Sequence, residues 1–149
     1  MAYKLVRTEN VSTRDTQGEP IGVKYPFNGS AVFGQVFTTL DKALSNLKCL
    51  ILTRKGERYI QPNFGTDLLY LIFEPNITEL KDEIITALKE PIAYWLPYII
   101  ITEITVLTQE DDPTLIHNVK ITLGFTVAGL VDNTKITIFA NENGILQVE

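Results

Sequence analysis

Apolar positions recur along this chain with two different periods, and the change from one to the other divides it. In residues 39–52, Leu40, Leu44, Leu47 and Ile51 stand at i, i+4, i+7 and i+11 with Ala43 beside them, the spacing of one helical stripe. Thr38 or Thr39 is the expected N-cap. Cys49 and Leu52 fall off the stripe, so the end of this helix should be covered on more than one side, and Cys49 reads as a small buried hydrophobe. A second stripe, Leu80, Ile84, Ala87, Leu88 and Trp95, follows Thr78, a suitable N-cap, with Glu79, Asp82 and Glu83 in the dipole-favoured first turns. Pro91 interrupts it at a cost of about 3 kcal/mol in a helix interior, which predicts a kink and a last turn ending at Leu96-Pro97.

From Tyr98 the period becomes two. Ile100, Ile104 and Val106 share one face of a first strand, and Ile99, Ile101 and Leu107 make its other face apolar enough to suggest cover on both sides. After the turn at Glu110-Asp111-Asp112-Pro113, Leu115, Val119, Ile121, Leu123, Phe125 and Val127 alternate with outward Asn118, Lys120, Thr122, Gly124 and Thr126. Ile136, Ile138 and Ala140 continue the pattern, and Asn143-Gly144 marks a tight hairpin into a final strand, Ile145–Val148. The expected class is α+β, with helices on one face of a three- to four-stranded antiparallel C-terminal meander.

Ahead of these elements, residues 1–30 hold too many turn formers for a long element and read as an extended N-terminal arm, with residues 31–149 as a single domain. The arm is either a poorly ordered terminus or a segment draped over a neighbouring subunit. Val23, Tyr25 and Phe27 alternate with Gly22, Lys24 and Pro26, which allows a short edge strand. Between the two helices, LILTRKGERYIQPNFGTDLLYLIFEPN packs turn formers, charges and aromatics densely. A turn belongs at Gly56, a short extended piece at Tyr59-Ile60 stopped by Pro62, and a second turn at Asn63-Phe64-Gly65. Thr66 or Asp67 should cap a helix over Leu68–Phe73 that Pro75 ends.

The spacing of Thr53-Arg54, Gly56-Glu57-Arg58, Pro62, Phe64-Gly65, Leu68, Leu71 and Phe73-Glu74-Pro75-Asn76 resembles the baseplate wedge family of contractile-tailed phages. That family, called GPW or gene-25-like, includes a baseplate component of type VI secretion and also carries a lysozyme label. The likeness runs from about Phe27 to the C-terminus. It implies a structural component of the virion's tail baseplate, made in the host cytoplasm, beside other wedge proteins and tube-proximal hub proteins, and serving as the platform for sheath assembly. It also implies likeness to the sheath-subunit domain that is joined to its neighbours by exchanged strands, so the C-terminal edge Ile145, Leu146, Gln147 and Val148 is the expected contact for the tail sheath protein. At the helix-to-strand junction the family carries an E-P-R motif; here Leu96-Pro97-Tyr98 keeps only the proline. A contact there would be aromatic and apolar, drawn from Tyr94, Trp95, Leu96, Pro97 and Tyr98. The rival reading of this run is that Trp95 is core and the tyrosines frame it.

Composition narrows the chemistry. Among 149 residues, 45% are hydrophobic and 21% charged, ordinary globular values; the net charge of −5, with no basic cluster longer than Arg54-Lys55, argues against nucleic acid. No apolar run is long enough for a membrane span, and MAYKLVRTEN has no signal-like apolar core. A lone Cys49 builds neither an intramolecular disulfide nor a zinc site, and His117 reads as a sheet-margin residue rather than a base. A muralytic glycoside hydrolase would need two carboxyl groups about 5–5.5 or about 6.5–9.5 Å apart. Glu57, Asp67 and Glu74 are candidates, each with a simpler role: pairing with Arg54 or Arg58, capping a helix, and facing solvent. No catalytic residues, cofactor or metal are expected.

Overall fold

A computed structural model describes residues 18–27, 33–72, 77–108, 111, 115, 118–130, 133–141 and 146–148. The elements run β1 (Gly22–Val23), β2 (Gln35–Val36), α1 (Thr39–Leu52), α2 (Leu68–Leu71), α3 (Ile77–Trp95), β3 (Ile99–Leu107), β4 (Asn118–Val127), β5 (Asn133–Asn141) and β6 (Leu146–Val148). β3, β4, β5 and β6 form one antiparallel sheet in that order, an α+β meander with α3 packed on it and α1 packed on α3. β1 and β2 pair separately, so the short strand expected near Val23 exists but does not join the main sheet.

α1 is set at both ends by side chains. The Thr38 hydroxyl accepts the Asp41 N–H at 3.1 Å and donates to the Asp41 carboxylate at 2.6 Å, and the Thr53 hydroxyl donates to the Cys49 carbonyl at 2.6 Å. Leu47, Leu50 and Ile51 are fully buried; Cys49 and Leu52 are half-buried, as expected for a last turn enclosed on several sides. α3 differs from the local rules in two respects. It starts at Ile77, so Thr78 lies inside the first turn rather than at the cap. It also runs through Pro91 to Trp95 without restarting. Pro91 leaves the Ala87 carbonyl without its usual N–H, while Ile92 and Leu96 beyond it are buried in the core and hold the last turn in place. Each such large side chain, once fully buried, stabilises the fold by about 1.5–3 kcal/mol, so two of them offset the proline.

The inward faces of β4 and β5 follow the alternation: Ile121, Leu123 and Phe125, with Ile136 and Ile138, are at most 1% exposed. β3 does not. Ile101 pairs with Phe125 and Glu103 with Gly124, so Thr102 is an extra residue, a bulge that reverses the parity of the strand. Ile99 therefore faces the core ahead of the bulge and Val106 after it, whereas Ile100, expected beside Val106, is 55% exposed. Its outward neighbours Thr102 and Glu103 are exposed too, so this stretch of β3 is not covered on both faces as expected. Gly124 makes the bulge possible: a Cβ there would lie 3.0 Å from the Thr102 hydroxyl.

Candidate functional site

Residues 54–66 form a loop closed at its neck. The Thr66 N–H donates to the Thr53 carbonyl at 2.9 Å, Arg54 and Thr66 bridge, and the buried Thr66 hydroxyl donates to the Ile51 carbonyl at 3.0 Å. Inside it, the Gly56 N–H donates to the Pro62 carbonyl at 2.6 Å and the Phe64 N–H to that of Gln61 at 3.1 Å. Both expected turns are present, with Gly56 at φ +84° and Gly65 at φ +116°.

Several side chains in this loop do other work than the local rules suggest. Glu57 accepts the Arg54 backbone N–H at 3.0 Å, so it closes the turn through the main chain rather than through a guanidinium. Asp67 makes no capping hydrogen bond to α2; its carboxylate is paired with Lys55 across the loop neck, and Thr66 is spent on Ile51. α2 is accordingly a single turn, Leu68–Leu71, shorter than expected. Arg58 lies over the Phe64 ring at 3.7 Å and donates to the Cys49 sulfur at 3.2 Å, so Cys49 is half-buried and hydrogen-bonded rather than an inert core residue. Tyr25 stands close enough to feel Cys49, Glu57 and Arg58; burial, the largest effect, raises its phenol pKa above the ordinary value.

The loop and the aromatic junction meet. Phe64 packs edge-on against Trp95 with ring centroids 5.2 Å apart, and Trp95 against Tyr94 at 5.0 Å, so Arg58, Phe64, Trp95 and Tyr94 form one continuous stack. Edge-to-face pairs of this kind add about 0.5–1.5 kcal/mol each beyond their burial. The five junction residues divide. Leu96 is buried in the core and thus removed from any contact surface; the half-buried Tyr98 accepts a 2.8 Å hydrogen bond from Asn46 and frames the core. Tyr94 is 76% exposed, Trp95 is half-buried and Pro97 is exposed.

One exposed feature was not singled out from sequence. Tyr59 and Ile60 form no strand; they are the bare tip of the loop, with Ile60 91% exposed. An apolar pair between Arg58 and Pro62 was the available signal. Ile60 and Tyr94 border a groove of about 530 Å³ whose walls are Lys55, Ile60–Asn63 and the last two turns of α3.

At the C-terminal edge, β6 pairs with β5 from Leu146 opposite Ala140 to Val148 opposite Ile138, and among the described residues no strand lies outside β6. Ile145, Glu74, Phe73, Pro75 and His117 fall outside the described residues. Among the described residues no group of His, Cys, Asp or Glu side chains is disposed to hold a metal, and no helix is long and apolar enough to cross a membrane.

A family model described as baseplate wedge protein gp25 matches residues 39–135, spanning α1, the closed loop, the remaining helices, β3, β4 and the start of β5. A solved structure from Geobacter sulfurreducens, described as a "putative tail lysozyme", superposes with a TM-score of 0.60 at 17% identity over 70% of this chain and 91% of that one. At that identity the likeness concerns the fold. A search of curated proteins finds no match. The family match covers well over half of the chain and contains the closed loop whose residues first suggested it: this chain belongs to the gp25 family of baseplate wedge proteins.

Proposed function

We propose that this chain is a structural component of a contractile phage tail baseplate, placed in the wedge near the tube, where it meets other wedge proteins and is the platform from which the sheath starts to assemble. The observation that carries the reading is the Arg58–Phe64–Trp95–Tyr94 stack. It fastens the family's signature loop to the junction and leaves Tyr94 and Ile60 projecting on a rigid mount, and large exposed aromatics on such mounts are the side chains that dominate interfaces. The edge position of β6, beyond which no strand lies among the described residues, supports the sheath part, since a strand edge offers a row of unpaired N–H and C=O groups to an incoming strand.

The protein acts by assembly, not by hydrolysis. Two of the three carboxylates first weighed for glycoside cleavage have structural duties: Asp67 is held by Lys55 and Glu57 by the Arg54 N–H. The lysozyme description of the Geobacter protein is a statement about that protein.

Co-purification with the wedge proteins of the same virion tests the reading. Tyr94→Ala should weaken association at least about thirtyfold, the effect of one 2 kcal/mol hot spot, and lower Tm by no more than about 5 °C, the loss of its one edge contact with Trp95, because the ring is otherwise largely exposed. Tyr98→Ala should instead lower Tm, through the lost Asn46 hydrogen bond and the half-buried ring. Unchanged association for Tyr94→Ala refutes the aromatic contact.

A further inference from the structure

The groove beside Tyr94 does not end there. It continues along α3 into a second trough of about 550 Å³ on the side of α2, with Lys55 and Glu90 lining both. Glu83, Ala87, Glu90 and Tyr94 stand at i, i+4, i+7 and i+11, one straight stripe along the helix. Its character changes along its length. At one end are Tyr94 and Trp95 with Pro62 and Pro91; at the other Asp82, Glu83 and Glu90 outnumber Lys55, which is already held by Asp67. Glu83 and Glu90 have no ion-pair partner among the described residues.

Three side chains lining the aromatic half carry hydrogen-bond donors: the Trp95 indole N–H and the amides of Gln61 and Asn63. A helix has its own backbone groups satisfied and has no use for such donors. An extended polyproline-type segment has no internal hydrogen bonds and needs donors for its carbonyls. An aromatic- and proline-lined groove with a negative extension is the arrangement that accepts such a segment when it carries a cation.

Resting on the assembly reading above, we propose that this groove binds an extended, proline-containing, basic segment of a wedge partner, its apolar or prolyl residues against Tyr94 and Trp95 and its Lys or Arg side chains against Glu90 and Glu83. The spacing follows from geometry. At about 1.5 Å per helical residue, Glu90 lies about 6 Å and Glu83 about 16 Å along the axis from Tyr94. At about 3.1 Å per residue, the partner's cations fall about two and about five positions from its anchor.

Two fluorescein-labelled peptides test this, each carrying a Pro-Leu-Pro anchor with arginines two and five positions away, one in each chain direction, titrated against the full chain by anisotropy. A helical peptide of equal charge is the control. One of the two proline peptides should saturate, bind at least tenfold more tightly than the helical control, and lose at least tenfold with Tyr94→Ala and with Glu83→Gln/Glu90→Gln; added salt should weaken it. Failure of both to saturate, equal binding of the helical peptide, or indifference to the Gln pair overturns the proposal. The same variants in the wedge co-purification separate the two levels. Loss of association with both variants supports the occupant proposed; loss with Tyr94→Ala alone overturns it while the aromatic contact stands, and loss with neither overturns the occupant and the aromatic contact together.

Discussion

Gly65 is where the closed loop returns to the body of the protein, and Gly65→Ala tests whether that closure is a rigid structural feature. Two costs add there. With φ at +116° the backbone is in a region that side-chain-bearing residues rarely adopt, at about 1–3 kcal/mol. A Cβ would also collide with the Thr53 carbonyl oxygen and come within 2.9 Å of the Arg54 carbonyl carbon, backbone atoms that cannot rotate away. Relief requires the two strands of the neck to part, which stretches the Thr66-to-Thr53 hydrogen bond, worth about 0.5–1.5 kcal/mol. The expected loss is therefore about 2–4 kcal/mol, or roughly 5–15 °C in Tm for a domain of this size. Gly56→Ala is the internal control: its φ is +84° but no atom lies within 4 Å of the added carbon, so only the conformational cost of about 1–2 kcal/mol applies. Urea unfolding followed by circular dichroism measures both. Equal destabilisation by the two variants, within about 0.5 kcal/mol, would refute the steric reasoning.

Other variants probe neighbouring contacts. Arg58→Lys keeps the charge but loses the planar group over Phe64 and its reach to Cys49, and should cost about 0.5–2 kcal/mol by urea unfolding; unchanged stability would contradict the stack. The hydrogen bond from Lys81 and that from the Thr108 backbone hold the Asp111 pKa below its ordinary value. A depressed carboxylate stabilises the fold above its unfolded pKa, near pH 4, and that contribution disappears as pH falls through the lowered value. Lys81→Ala should flatten that part of the stability profile, and an unaltered acid limb would show the contact to be idle.

What sequence made legible was periodic. The α1 stripe and the alternation of β4 and β5 depend on local spacing and a single buried face, and both held. β3 was misread at Ile100 because a bulge is a property of two strands: the extra residue, Thr102, is tolerated through the absence of a side chain at Gly124, more than twenty residues later. Asp67 and Thr66 both had the right chemistry for a cap, yet Lys55 and the Ile51 carbonyl, brought close by the loop closure, compete successfully for them. Pro91 stayed within α3 because Ile92 and Leu96 are core residues, which local propensity does not register. The components of the site were visible as residue types, but not that Arg58, Phe64 and Trp95 stack, nor that Tyr59 and Ile60 stand bare and that Ile60 shares a groove with Tyr94.

The proposed role in starting sheath assembly depends on the C-terminal edge of the sheet. A variant truncated after Asn141 removes β6 and exposes the outer side of β5, while leaving α1, α3 and the β3–β4–β5 core in place. Baseplates assembled with it should be counted for attached sheath by electron microscopy after addition of sheath protein. The account predicts completed wedges bearing no sheath. Sheath of normal frequency and length on those baseplates would contradict it.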